Sequence, residues 1–245
     1  MNISKYRDTV RLAFGLFFAS LGFQALWFDA FTPQLQNFQI AFADAPRGAI
    51  MLNGTLLLGC GLAIAANRYL HIAAALLTLV LGVPTILHGY SLLSGDAAAP
   101  AIVALLECAL FLGLCLHLAD LLRGRVLQLL CGTMFVAFGL IHLIEHRDLE
   151  ALVPNWLPAK TYWLWLTGSI QIVAGIAFLF GRYLVQAATA IGGMYLAWIP
   201  LVHAPRLTGN PNSHFEWSFA TIALCLAAAT LLAAMTAQHE PRAVA

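Results

Sequence analysis

Eight apolar runs of about bilayer length follow one another along this chain, and they restrict its fold more than any other feature. A helix of roughly 20 apolar residues can cross a bilayer because its backbone hydrogen bonds are satisfied within the segment. Of the 245 residues, 61% are hydrophobic and 9% are charged, whereas soluble domains carry about 25% charged residues. The predicted fold class is therefore an all-α polytopic membrane protein. The predicted spans are roughly 12–28, 48–66, 69–93, 100–120, 126–144, 161–180, 183–204 and 215–236.

The distribution of Lys and Arg residues orients these spans in the bilayer. With the N-terminus inside, eight of the 12 basic residues fall on the cytoplasmic side, as the positive-inside rule requires. Both termini are therefore predicted to be cytoplasmic, and the three longer segments, 29–47, 145–160 and 205–214, face outward. The net charge of +1 offers no basic patch for nucleic acid. We expect the lipid bilayer, and no nucleic acid, as a partner.

The chain also contains an internal repeat of four spans. Residues 12–26 align with 129–143, and residues 52–74 align with 166–188. Because four is an even number of crossings, the copies should enter the membrane in the same sense, as parallel repeats about an axis along the membrane normal. The predicted organisation is a first four-helix repeat at 1–122, a second at 123–236 and a cytoplasmic tail at 237–245.

The first two spans of each copy carry glycines seven residues apart, which places them on one helix face. Small residues allow helix backbones to approach closely where lipid supplies no hydrophobic drive for association. A proline in the third span of each copy predicts a kink there. The glycine pairs are Gly15/Gly22, Gly54/Gly61, Gly132/Gly139 and Gly168/Gly175, and the prolines are Pro84 and Pro200.

Polar residues collect near the predicted outer ends of the spans. Glu107 lies on the order of 10 Å into the fourth span, and an ionisable group at such depth is a functional hypothesis by default. His88 enters the preceding span to a similar depth, which predicts a contact between the two. Gln171 adds hydrogen-bonding capacity to the sixth span. The candidate ligand-binding residues are His142, Gln171, His203, Glu216, His88 and Glu107.

The sequence leaves three interpretations of this cluster open. Histidine is amphipathic, so the cluster could be only the polar boundary of the bundle. It could instead bind a quinone or another small molecule and handle its protons, since histidine titrates near neutral pH. Imidazole and carboxylate are also ligands for metals, and imidazole for haem. His142 and His146 are one turn apart, as a metal pair would be, and with Glu145 they spell the H-x-x-E-H of one zinc-peptidase class. No outer segment is long enough for a peptidase domain.

The second copy carries several local motifs in a fixed order. His142 ends the first helix, the "VPNWLP" loop (153–158) follows, Gly168 and Gly175 flank Gln171, and "HAPRLTGNPNSHFEW" (203–217) precedes the last helix. In these features residues 125–236 resemble the DoxX-like family of membrane proteins, and the first copy resembles it only weakly. The family often has Glu where Gln171 stands, and the first copy has Ala25 opposite His142.

The resemblance implies a fold, a context and a location. The family's unit is a four-helix membrane bundle, so a tandem pair agrees with eight spans. Family members are linked to oxidoreductase complexes, including the small subunit of an archaeal thiosulfate:quinone oxidoreductase and a bacterial redox-detoxification assembly. We therefore expect a membrane-integral component of a redox system in a bacterial inner membrane, with a quinone as candidate ligand and redox-enzyme subunits as candidate partners. A non-catalytic scaffold or assembly factor and a small transporter are the alternatives.

Overall fold

The computed structural model describes residues 3–32, 46–95 and 99–239. Within these ranges the chain contains no strand, and eight of its helices are long and apolar enough to cross a membrane. The predicted all-α polytopic fold is confirmed. Residues 33–45 of the predicted loop 29–47 and residues 240–245 of the predicted tail lie outside the described ranges. The helices are α1 (Ile3–Phe28), α2 (Arg47–Ala65), α3 (Leu70–Leu93), α4 (Ala99–Leu118), α5 (Gly124–Ile144), α6 (Lys160–Phe180), α7 (Leu184–Trp198) and α8 (His214–His239).

The seventh crossing differs most from its prediction. Helix α7 continues through a π-helical segment, Ile199–His203, into a further α-helical segment, Ala204–Gly209. Pro200 lies in the π-helical turn, and proline cannot donate the backbone hydrogen bond that an α-helix requires. The predicted kink therefore takes the form of a widened turn. The predicted outer segment 145–160 is also more ordered than a loop, because it holds a short helix, His146–Leu149, and a 3₁₀ turn, Glu150–Leu152.

Helices α1 and α2 pack through their glycines in the same way as α5 and α6. A Cβ atom added at Gly22 would lie 2.6 Å from the carbonyl oxygen of Gly54, and one added at Gly139 would lie 2.5 Å from that of Gly168. At the other end of each contact, Cβ atoms at Gly61 and Gly175 would lie 2.6 and 2.8 Å from the carbonyl oxygens of Gly15 and Gly132. Matched glycines thus make matched backbone contacts, which is the packing that a duplication predicts.

The first four helices pack against the last four at two helix–helix contacts. Helix α1 packs against α8, the last helix of the other half, and α5 packs against α4. Buried aromatic side chains of both halves, among them Phe14, Phe111, Phe135 and Phe178, belong to one hydrophobic core. Helix α4 of the first half is therefore a neighbour of the helices that form the second.

The outer surface of the bundle is apolar. Large side chains such as Trp27, Ile86, Ile144 and Phe180 are 70–74% exposed, as expected for helices whose outer faces contact lipid rather than water. These faces support the predicted contact with a bilayer.

Candidate functional site

A cavity of about 750 Å³ lies inside the second half, where α5 ends and α6 begins. Helix α4 of the first half closes one side of it, with Val103, Ala104 and Glu107 among the lining residues. The remaining walls come from α5, α6, α7, α8 and the segment between α5 and α6. We refer to the end of the bundle that holds residues 145–159 and 210–213 as the loop end; the cavity lies towards this end.

Aromatic side chains form much of the cavity wall. Trp163 and Trp198 meet edge to face with ring centroids 5.9 Å apart, and Phe215 and Phe219 do so at 4.2 Å. All four line the cavity, together with Phe138. Such walls are suited to a ligand with flat apolar faces, since aromatic rings pack favourably in offset or edge-on arrangements.

Gln171 and Tyr195 place a polar pair deep in this apolar wall. Gln171 is 1% exposed and Tyr195 is 9% exposed, and both line the cavity. The side-chain nitrogen Nε2 of Gln171 donates to the hydroxyl of Tyr195 at 3.2 Å, whereas its Oε1 has no hydrogen-bond partner among the described residues. A buried polar atom without a partner is destabilising by about 1–3 kcal/mol, so Oε1 is a candidate contact for a ligand.

His142 lies on the cavity wall, in the last turn of α5. Its Nδ1 is 2.8 Å from the carbonyl oxygen of Phe138, so in the neutral ring Nδ1 carries the proton and Nε2 is the acceptor. Gly168 makes room for this side chain, because a Cβ atom there would lie 3.0 Å from the Cβ of His142. The glycine face of α6 therefore both packs the two helices and admits the imidazole.

The π-helical turn of α7 supplies the next polar group. His203 ends this turn and lines the cavity beside Val202. A π-helical turn contains more residues than an α-helical one, and such turns are frequent at functional sites. The turn, rather than the sequence spacing alone, determines which side chains of this segment face inward.

Arg206 connects three elements at the loop end of the cavity. Its Nε and Nη2 donate to the two carboxylate oxygens of Glu216 at 2.7 and 2.6 Å, and its Nη1 donates to the carbonyl oxygen of Leu152 at 2.8 Å. The side chains of Arg206 and Glu216 are only 22% and 13% exposed. This bidentate, charge-assisted arrangement joins the helical segment Ala204–Gly209, the start of α8 and the 3₁₀ turn.

The segment between α5 and α6 covers the loop end of the cavity. Leu149, Leu152 and Val153 line the cavity from this segment, and Glu145 and Asp148 add carboxylates. The "VPNWLP" loop is fastened to α6, because Lys160 donates to Asn155 at 2.8 Å and the Trp163 ring nitrogen donates to the carbonyl oxygen of Pro158 at 3.0 Å. The hydroxyl of Thr161 donates to the Glu150 carboxylate.

The structure brings four of the six predicted site residues to one cavity. Glu107, His142, Gln171 and His203 line it, whereas Glu216 and His88 do not. Glu216 was expected to line the cavity. Its carboxylate instead accepts two hydrogen bonds from Arg206, and it is Arg206 that lines the cavity. His88 is 2% exposed in α3, a helix that packs on α4, and the expected contact with Glu107 stays a prediction.

The predicted metal pair does not share one environment. His142 lines the cavity, whereas the ring of His146 meets that of Trp165 at 5.9 Å and its Nδ1 is 3.0 Å from the carbonyl oxygen of Leu143. Over the ranges that the structure describes, no group of three His, Cys, Asp or Glu residues is placed to hold a metal ion.

Sequence reasoning missed Tyr195 and Arg206 as site residues, because a Tyr in an apolar run and an Arg in an outer segment are ordinary features of membrane proteins.

The equivalent position in the first half is nearly filled. A void of about 10 Å³ lies there, lined by residues that include Asn53, Leu57, Leu81 and Phe111. By the repeat alignment Leu57 stands opposite Gln171, and Ala25 stands opposite His142. The polar groups at His142 and Gln171 are thus replaced by apolar ones in the first half, whereas Asn53 keeps a polar group in the lining of the void.

Together these features define a polytopic α-helical membrane protein with an apolar cavity that contains a few convergent polar groups. Residues 131–236 match the family model of a domain of unknown function (DUF8561). The match covers most of α5 and all of α6 and α7, with most of α8, so it contains the cavity residues of the second half but not Glu107. No curated protein and no solved structure matches the chain.

Proposed function

We propose that this protein is a membrane-integral component of an oxidoreductase or redox-homeostasis system, in which the cavity binds a quinone-type molecule. The observation that supports this most directly is the convergence of Glu107, His142, Gln171 and His203 on one aromatic-walled cavity. These residues come from α4, α5, α6 and the π-helical segment after α7, and they meet in a lining that is largely apolar.

Size and polarity both favour such a ligand. The volume of about 750 Å³ falls in the range of roughly 300–1,000 Å³ that is typical of small-molecule sites. A quinone ring has two flat apolar faces and oxygen atoms at opposite edges. The aromatic pairs Trp163/Trp198 and Phe215/Phe219 suit the faces. The Gln171–Tyr195 pair has a proton to donate to a carbonyl oxygen, and Nε2 of His142 can accept from the hydroxyl of the reduced, quinol form. The DoxX-like features of residues 125–236 add the redox context.

The proposal is tested with His142→Ala, and His146→Ala is the matched control. His142 is in the last turn of α5 and His146 begins the short helix that follows, and each has a ring nitrogen near a backbone carbonyl, but only His142 lines the cavity. We expect His142→Ala to weaken binding of a short-chain benzoquinol, whose hydroxyl can donate to Nε2 of His142, about tenfold, the effect of losing one hydrogen bond from a desolvated site. The control should bind as the unmodified protein does, and membrane yields should be equal.

The same purified protein separates the alternatives. Lipid extraction of protein purified in mild detergent should release quinone in about stoichiometric amount, whereas its visible spectrum and metal content report on haem and metals. A protein that retains no quinone and binds none, yet co-purifies with a stoichiometric partner, would be the scaffold or assembly factor, and the proposal would be wrong.

A further inference from the structure

Several of the hydrogen-bonding groups that line the cavity offer acceptors to a ligand. His142 Nε2 accepts, since Nδ1 is engaged with the carbonyl oxygen of Phe138, and Gln171 Oε1 accepts and has no partner among the described residues. The side chains of Glu145 and Asp148 add carboxylate oxygens. The strongest donor of the lining, Arg206, is occupied by Glu216 and by the carbonyl oxygen of Leu152.

The Gln171–Tyr195 pair offers one donor and one acceptor to a ligand. With Nε2 donating to the Tyr195 hydroxyl at 3.2 Å, Gln171 Oε1 is left to accept and the hydroxyl proton is left to donate. If the amide is turned over, Tyr195 donates to Oε1, and Nε2 is left to donate while the hydroxyl oxygen accepts. In either orientation the pair is satisfied by a group that both donates and accepts.

We infer that the cavity binds hydroxyl-bearing aromatic molecules, quinols and related phenols, more tightly than the corresponding quinones. This inference rests on the proposed function and specifies the form of the ligand. A quinol hydroxyl donates to His142 Nε2 or to the Gln171–Tyr195 pair and can accept from the same pair. A quinone carbonyl accepts only, so it leaves Nε2 of His142 and one acceptor of the pair desolvated and without a proton, which is unfavourable in a low-dielectric site.

The experiment compares one ring in its two redox forms. A short-chain benzoquinone and its quinol, with the same side chain, are titrated anaerobically into the full-length protein in nanodiscs. We expect the quinol to bind about tenfold more tightly than the quinone, the effect of one additional satisfied hydrogen bond.

Variants assign the preference to the cavity. Gln171→Leu installs the residue that the first half carries at the equivalent position, Leu57, and should reduce quinol affinity about tenfold with little effect on the quinone. Ser218→Ala is the control, because Ser218 is a fully buried hydroxyl that donates to Gln24 at 2.9 Å and does not line the cavity. It should leave both affinities unchanged.

Each outcome has a distinct meaning. Equal binding of the two forms, or tighter binding of the quinone, overturns this inference and leaves the proposed function standing. Binding of neither form overturns both. If Gln171→Leu does not fold, the affinity ratio of the unmodified protein decides, since it depends on no substitution.

Discussion

At the scale of single residues, two ion pairs of the same type differ in their surroundings. Arg206 and Glu216 are 22% and 13% exposed and bond through two pairs of atoms. Arg47 and Asp29 are 77% and 44% exposed, with a shortest distance of 3.0 Å. Exposed pairs contribute little because water and salt screen them, whereas removing one partner of a buried pair leaves the other charge uncompensated.

This difference predicts the effect of neutralising each carboxylate. Glu216→Gln should lower the free energy of unfolding by about 2 kcal/mol, between the values for exposed and fully buried pairs. Asp29→Asn should lower it by less than about 0.5 kcal/mol. Unfolding in detergent, followed by circular dichroism at low and high salt, measures both. Equal effects of the two substitutions would contradict the proposed importance of the Arg206 connection.

At the scale of helices, contact between backbones holds each α1–α2 and α5–α6 pair together. The Cβ atom of a residue larger than glycine at 139 would lie 2.5 Å from the carbonyl oxygen of Gly168 and 3.0 Å from the backbone nitrogen of Ile172. These two neighbours are backbone atoms, which cannot move aside as the nearby side-chain atom Cγ1 of Ile172, at 2.6 Å, could. Gly59, in contrast, has no atom within 4 Å of its potential Cβ.

The same substitution, glycine to alanine, is therefore expected to affect stability differently at positions 139 and 59. Gly139→Ala should lower stability by about 2 kcal/mol, since overpacking of a tight contact forces the helices apart. Gly59→Ala should be neutral or slightly stabilising, because alanine has the higher helix propensity and meets no neighbour. Thermal unfolding of the purified variants in detergent provides the comparison. A stable Gly139→Ala protein would show that α5 and α6 tolerate a wider separation than the structure has.

At the scale of the whole molecule, the two halves that the sequence repeat predicts have unequal interiors. One half contains a cavity of about 750 Å³ and the other a void of about 10 Å³. Because α4 packs on α5, Glu107 of the first half lines the cavity of the second. The site therefore depends on both halves, although only one of them carries most of its polar groups.

The predicted orientation is tested by cysteine labelling. The five native cysteines are buried and free, so they should contribute little background. We expect Asn155→Cys and Asn210→Cys, both at exposed positions of the loop end, to react with an impermeant maleimide added to intact cells. Asp120→Cys, at an exposed position of the opposite end, should react only after the membrane is opened. Labelling of positions 155 and 120 from the same side would contradict the topology.

The sequence by itself determined the number and approximate length of the crossing helices. Hydrophobic length is a local property, since each helix satisfies its own backbone hydrogen bonds. The glycine spacing was also sufficient to predict which faces pack closely, because a seven-residue repeat places glycines on one side of a helix whatever surrounds it. His142 and Gln171 could be selected as site candidates for a similar reason: a polar group inside an apolar span needs a partner or a ligand.

Only the tertiary structure decided which polar residues share a site. Glu216 faces Arg206 because the π-helical turn and the segment Ala204–Gly209 bring the guanidinium to the start of α8, and no sequence spacing specifies that meeting. Tyr195 became a site residue only because α7 packs on α6 and places its hydroxyl 3.2 Å from Gln171. Glu107 lines the cavity because α4, which carries it, packs against α5. Contacts between distant segments depend on how whole helices pack, which the local periodicity of a sequence does not record.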